Sequence, residues 1–156
     1  MKRFLSAIVV IICMSAIATA ETEMYVNVRY GSSLNVREIS DTNSRIVGSL
    51  VRGQKVTASK EDNGFVFILF VNENKGGWVS KDYLLEECPE MLPIGKYKTT
   101  SKVKVRNGAS YEAKIVMYVN SGKYVTVKGF SEDADSNMWA EVNGGHIALE
   151  YLKLEE

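Results

Sequence analysis

The chain of 156 residues is poor in the side chains from which catalytic sites are built. It has one histidine, His146, and two cysteines, Cys13 and Cys88. A Cys–His nucleophile pair needs both groups at hydrogen-bond distance on a rigid scaffold. Cys88 sits beside Pro89 in a loop-like stretch, so no such pair is expected and the chain reads as non-enzymatic. Pro89 and Pro93 are the only prolines, and both fall in that stretch. Net charge is absent too: 19 Lys and Arg balance 19 Asp and Glu. Non-specific nucleic-acid binding needs a strongly basic face, and this balance argues against it. After residue 20 no amphipathic helical segment of useful length occurs, which leaves strands and turns as building material.

The first twenty residues have the layout of a secretory leader. Lys2 and Arg3 form a positive start, Phe4 to Ile17 is an almost unbroken apolar run, and Ala18-Thr19-Ala20 is a small-x-small cleavage site. The run is shorter than the ~20 apolar residues of a spanning helix. Ile12 stands before Cys13, where a lipoprotein signal carries a small residue. Cleavage after Ala20 is therefore expected, with a secreted or periplasmic product and no membrane span in it. Removing Lys2 and Arg3 from the 19 basic residues leaves 17 against 19 acidic ones, a net charge of −2. It also removes Cys13, so Cys88 has no partner within the chain.

What is present is a block of sequence used twice. Leu34-Asn35-Val36-Arg37 is echoed by Val103-Lys104-Val105-Arg106, Ile46-Val47 by Ile115-Val116, and Gly53 with Val56-Thr57 by Gly122 with Val125-Thr126, all at an offset of 69. Gly77-Trp78-Val79 and Tyr83-Leu84 return as Gly145-His146-Ile147 and Tyr151-Leu152 at an offset of 68. A near-constant offset points to one folding unit repeated. The units are expected at 24–86 and 97–154, with a stiff proline-bearing linker at 87–96 after the leader, residues 1–20. Short runs rich in Val, Ile, Tyr, Phe and Thr, broken by Gly, Asn, Asp and Ser, predict an all-β fold of small barrels. Val51-Arg52-Gly53-Gln54 and Asn120-Ser121-Gly122-Lys123 read as tight turns in which glycine supplies a positive φ. Glu61-Asp62-Asn63-Gly64 is a further turn, and it is expanded in the second unit to 130–137.

These motifs resemble the bacterial SH3 (SH3b) family. Leu34-Asn35-Val36-Arg37, Ile46-Val47-Gly48, Arg52-Gly53-Gln54-Lys55-Val56 and Gly64-Phe65-Val66-Phe67-Ile68 follow its pattern in order. The unit closes on Gly77-Trp78-Val79-Ser80-Lys81-Asp82-Tyr83-Leu84. The second unit diverges. Trp139 keeps a tryptophan position that the first unit fills with Phe65, and His146 replaces the closing Trp78. The resemblance implies two consecutive SH3-like barrels and binding of peptidoglycan, or of a peptide or protein of the cell envelope, without a cofactor. The alternative is an envelope adaptor or inhibitor that binds a protein partner.

Aromatic side chains offer flat area with a polar tip, suited to glycan rings and extended peptides. Candidate ligand residues are Tyr30, Trp78 and Tyr83 in the first unit, and Tyr111, Trp139 and Tyr151 in the second. Exposure is expected above all for Tyr30 and Tyr111. Lys102, Lys104 and Arg106 alternate with Val103 and Val105, so period two places three cations on one face of a strand. They read either as a contact for anionic polymer or peptide carboxylates, or as a solvated sheet edge. In Phe65–Val71 the same alternation turns Val66, Ile68 and Phe70 inward, and Phe67 and Leu69 outward. Those last two are candidate interface residues against the second unit or a partner. Asp133-Ala134-Asp135-Ser136-Asn137 imitates the start of a calcium loop, but Met138 stands where glycine should follow and Gly144 where the closing glutamate should be. It reads as a solvated acidic loop, and no metal site is expected.

Overall fold

A computed structural model describes residues 21–69 and 76–155. The expected leader and Phe70 lie outside them. Among the described residues seven strands form the first barrel: β1 (Thr22–Val26), β2 (Ser33–Arg37), β3 (Ile46–Val51), β4 (Lys55–Asp62), β5 (Phe65–Leu69), β6 (Gly76–Ser80) and β7 (Leu84–Leu85). Eight form the second: β8 (Gly95–Thr99), β9 (Val103–Arg106), β10 (Ile115–Val119), β11 (Tyr124–Val127), β12 (Gly129–Glu132), β13 (Met138–Val142), β14 (Gly145–Ala148) and β15 (Leu152–Leu154). Single 3-10 turns at Lys81–Tyr83 and Leu149–Tyr151 precede the closing strands. Among the described residues no helix is long and apolar enough to cross a membrane.

All pairings are antiparallel. The first barrel runs β3-β2-β6-β5-β4-β1-β7, and the second splits into β10-β9-β14-β13-β12 and β11-β8-β15. The split has a local cause. Long β4 carries a register shift between Ala58 and Lys60 as it bends from β1 to β5. At the matching place in the second barrel Lys128 leaves the strand, so the same path is divided into β11 and β12. The Lys128 N–H still donates to Glu141 O at 2.9 Å. Bulges of this kind turn a strand from one partner to the next.

Each barrel has its own core of alternate residues. Val26, Leu34, Val36, Leu50, Val56, Val66, Ile68 and Val79 fill the first, and Tyr97, Val103, Val105, Val127, Phe130, Ala140 and Ile147 the second. The alternation expected of β5 holds from Val66 on, with Val66 and Ile68 buried, Phe67 half-buried and Leu69 exposed, whereas Phe65 on the outward side is also buried, beneath the first groove. The two tight turns also form as expected. Gly53 and Gly122 have φ of 77° and 74°, and their N–H groups donate to Val26 O and Thr99 O, each at 2.8 Å.

The Gly-Trp-Val glycine has a steric role. β6 and β14 cross close to β2 and β9, pairing at Arg37↔Trp78 and Arg106↔His146. A Cβ on Gly145, whose φ is +149°, would lie 2.1 Å from Arg106 O, and one on Gly77 would lie 2.4 Å from Val36 Cγ1.

The linker is pinned by side chains as well as by its prolines. The Tyr30 hydroxyl donates to Glu90 O at 3.2 Å and accepts from Leu92 N–H at 2.7 Å. The Tyr97 hydroxyl donates to Pro93 O at 2.7 Å. Gly95 and Lys96, expected in the linker, already belong to β8.

Candidate functional site

The second barrel presents a groove of about 380 Å³. One wall is the outward side of β9. Val103 and Val105 point into the core, so Lys104 and Arg106, with Lys102 just before the strand, point out over the groove. β9 lies between β10 and β14, which corrects the reading of the basic stripe as a sheet edge. Arg106 Nη1 donates to Ala113 O at 2.6 Å and so anchors the loop between β9 and β10. That loop delivers Tyr111, whose ring packs at 4.8 Å from Trp139 with an interplanar angle of 63°. Trp139, from β13, is only 1 % exposed and forms the floor. Tyr151, from the 3-10 turn, completes the far wall.

The polar groups of the groove are mutually engaged. The Tyr111 hydroxyl donates to Glu150 Oε1 at 2.7 Å. This bond, with a smaller contribution from burial, pushes the phenol up to about 12. Glu150 raises the Tyr151 phenol in the same way. The Trp139 indole N–H donates to Asp133 Oδ2 at 3.0 Å. That bond is the largest cause of a lowered Asp133 pKa, because a donated hydrogen bond favours the charged carboxylate. Asp133 also accepts from Asp135 N–H and Asn137 N–H at 3.0 and 2.9 Å, and from the Asn137 side-chain amide. The expectation of a solvated acidic loop therefore fails at Asp133, whose carboxylate is consumed in shaping the loop and fixing Trp139.

A related groove of about 470 Å³ lies on the first barrel. Its wall carries Ser33, Asn35 and Arg37 where the second has Lys102, Lys104 and Arg106. Thr42 stands at the place of Tyr111, Phe65 at that of Trp139, and Tyr83 at that of Tyr151. Arg37 Nη1 donates to Ser44 O at 2.7 Å, the counterpart of the Arg106 anchor. The framework and its arginine are shared, whereas the two lysines, one tyrosine and the indole belong to the second groove alone.

Tyr111, Trp139, Tyr151, Lys102, Lys104 and Arg106 thus meet in one place, and Tyr83 lines the first groove. Trp78 and Tyr30 line neither. Trp78 lies on the outer sheet face, 5.4 Å from Phe67 edge to face, with Lys60 Nζ 5.2 and 5.0 Å from the two rings. Tyr30 is half-buried, against the expected exposure. It packs edge-on to Phe130 at 5.8 Å beneath the Arg52 guanidinium. Contacts seen between the barrels include those of Tyr30 and Arg29, and Phe67 packs on Trp78 and Lys60 of its own barrel. Sequence reasoning missed Arg29, Arg52, Asp133 and Glu150. Only Asp133 had a sequence signal, since the expanded turn stops two residues before the one tryptophan of the second unit.

Residues 32–84 match the family model of the bacterial SH3 domain. The chain is 27 % identical over 135 residues to YrvJ of Bacillus subtilis (strain 168), named as an N-acetylmuramoyl-L-alanine amidase; the match covers 76 % of this chain and 25 % of that protein. The chain thus spans about a quarter of that relative's length. Among solved structures, NlpC2 and NlpC1 of Trichomonas vaginalis are matched over 88 % and 90 % of this chain and 49 % and 48 % of theirs. Their identities are 19 % and 20 %, with TM-scores of 0.36 and 0.33. On its motifs, its strand order and this family match, the segment 32–84 belongs to the bacterial SH3 domain family.

Proposed function

We propose that this chain is a secreted or periplasmic, non-enzymatic module that binds the cell wall, with the second barrel's groove as its principal ligand site. In this reading residues 1–20 are removed, and 24–86 and 97–154 are two SH3b-like units derived from one. The supporting observation is the convergence of three aromatic and three cationic side chains on the second groove. Aromatic faces suit sugar rings and peptide planes, and the cations suit the carboxylates of a wall peptide. The amidase name of the YrvJ relative supports a wall ligand, and the matched part of that relative is a fraction of its length. Cys88 lies in the linker and His146 on β14, which supports a binding role over a hydrolytic one.

Retention on purified peptidoglycan sacculi, scored against salt with the chain from Glu21, tests the reading. Binding that persists in high salt, and falls on Tyr111→Ala, is expected of an aromatic groove. Binding lost at modest salt would assign it to Lys102, Lys104 and Arg106 alone. No retention at any salt overturns the reading.

One observation favours a second role. Phe67, Trp78 and Lys60 form an aromatic and cationic patch on the outer face of the first barrel, beside exposed Leu69. As an adaptor the chain would seat a protein partner there. Phe67→Lys with Leu69→Lys would then abolish co-elution with an envelope partner while leaving sacculus retention intact.

A further inference from the structure

Between the barrels, Arg29 reaches from the first into the second. Its Nε donates to Glu132 Oε1 at 3.0 Å, and its Nη2 donates to Asp133 O at 3.1 Å and Ser136 Oγ at 3.0 Å. Backbone adds to the grip, since Glu132 N–H donates to Tyr30 O at 3.1 Å. The approach is close: a Cβ on Gly31 would stand 2.8 Å from Ser131 Oγ. The segment so held is the loop between β12 and β13. Its Ser136 sits at a φ of +64°, a conformation unusual for a residue with a side chain. Such a conformation persists where neighbouring contacts over-determine it, and Arg29 supplies one of them directly. The same loop presents Asp133, whose carboxylate holds the Trp139 indole on the groove floor.

We propose that the first barrel completes the second barrel's groove, with Arg29 as a positioning residue acting on Trp139 through the Glu132–Ser136 loop. The proposal rests on the groove being a ligand site, but the positioning itself is measurable without ligand. Arg29 also lines the first groove, so one side chain lines one groove and braces a loop of the other. An isolated exposed ion pair contributes little. A guanidinium that satisfies three acceptors on one short loop instead fixes geometry, and geometry is what the groove floor needs.

The test uses the full chain from Glu21 carrying Trp78→Phe, so that Trp139 is the one remaining indole. Its Nε1–H resonance in a nitrogen–proton correlation spectrum reports the bond to Asp133. Asp133→Ala defines the signal of the released indole. Arg29→Ala is expected to move the resonance towards that position and to weaken sacculus retention by about threefold to tenfold. Arg29→Lys keeps the charge but loses the fork, and should fall between. Should Arg29→Ala loosen the barrels, Glu132→Gln gives a milder perturbation, with a smaller shift in the same direction. An indole resonance that Asp133→Ala moves while Arg29→Ala and Glu132→Gln leave it fixed overturns the proposal. A resonance that moves with no change in retention upholds the brace and removes the wall ligand from this groove.

Discussion

The turn between β4 and β5 and the loop between β12 and β13 occupy the same place in the two barrels and do different jobs. In the first, Asn63 and Gly64 at φ of 50° and 78° make a two-residue reversal. Both central residues left-handed is the hairpin geometry that matches strand twist. In the second, the chain passes through Asp133–Asn137 before resuming at Met138. The longer loop costs little in closure entropy and adds a carboxylate over the groove floor. That carboxylate makes a tryptophan tolerable where the first barrel has Phe65, because a buried indole N–H needs an acceptor. The comparison teaches that the framework carries the fold, while a few added residues at one hairpin decide which groove can be elaborated.

The largest effect expected from breaking the framework is at the crossing glycines. Gly145→Ala sets a Cβ against a backbone oxygen that cannot turn aside, and should cost about 3 kcal/mol or more in thermal unfolding. Gly77→Ala meets buried Val36 Cγ1 at 2.4 Å but stands 3.0 Å from the nearest backbone oxygen, Arg37 O, and has no positive φ to strain, so it should cost less. Equal small losses would show that the crossing is looser than described. Next is Tyr30→Ala, which unpins the linker and strips an aromatic contact from Phe130. A loss of about 2 to 4 kcal/mol is expected, read as faster proteolysis within 86–94 and earlier melting. The grooves can then be exchanged: Lys102→Ser with Lys104→Asn should weaken sacculus binding by about threefold to tenfold, and Ser33→Lys with Asn35→Lys should raise it by less.

The smallest effects are in titration. The Tyr111 phenol is raised above its ordinary 10.0, so its bond to Glu150 is intact below pH 10.0 and is lost as pH rises through about 12. The tyrosinate absorbance of wild type minus Tyr111→Phe should therefore appear late. Asp133 is lowered below its ordinary 3.8, so its hold on Trp139 is complete above that pH and is lost only as acid protonates it. Trp139 fluorescence should stay constant from neutrality down to pH 3.8.

Much of the fold was legible because it depends on local rules. Period-two alternation placed Val66, Ile68, Val103 and Val105 in the cores, and the glycine turns declared their backbone sign. In the second groove the stripe was readable from alternation and the aromatics from their kind. Tyr30 was misjudged, because its burial comes from Phe130, Arg52 and the linker, all distant in sequence. Asp133 was misjudged because an acidic run looks solvated until the fold brings an indole donor to it. Arg29 carries no sequence signal, since its partners lie more than 100 residues away.

The central claim is that the second groove carries the binding, and the most direct test is sacculus retention of matched variants. Tyr111→Ala with Tyr151→Ala empties the second groove, and Tyr83→Ala the first. Retention lost in the former and kept in the latter is the predicted result. Retention lost with Tyr83→Ala and kept when the second groove is emptied would contradict the account.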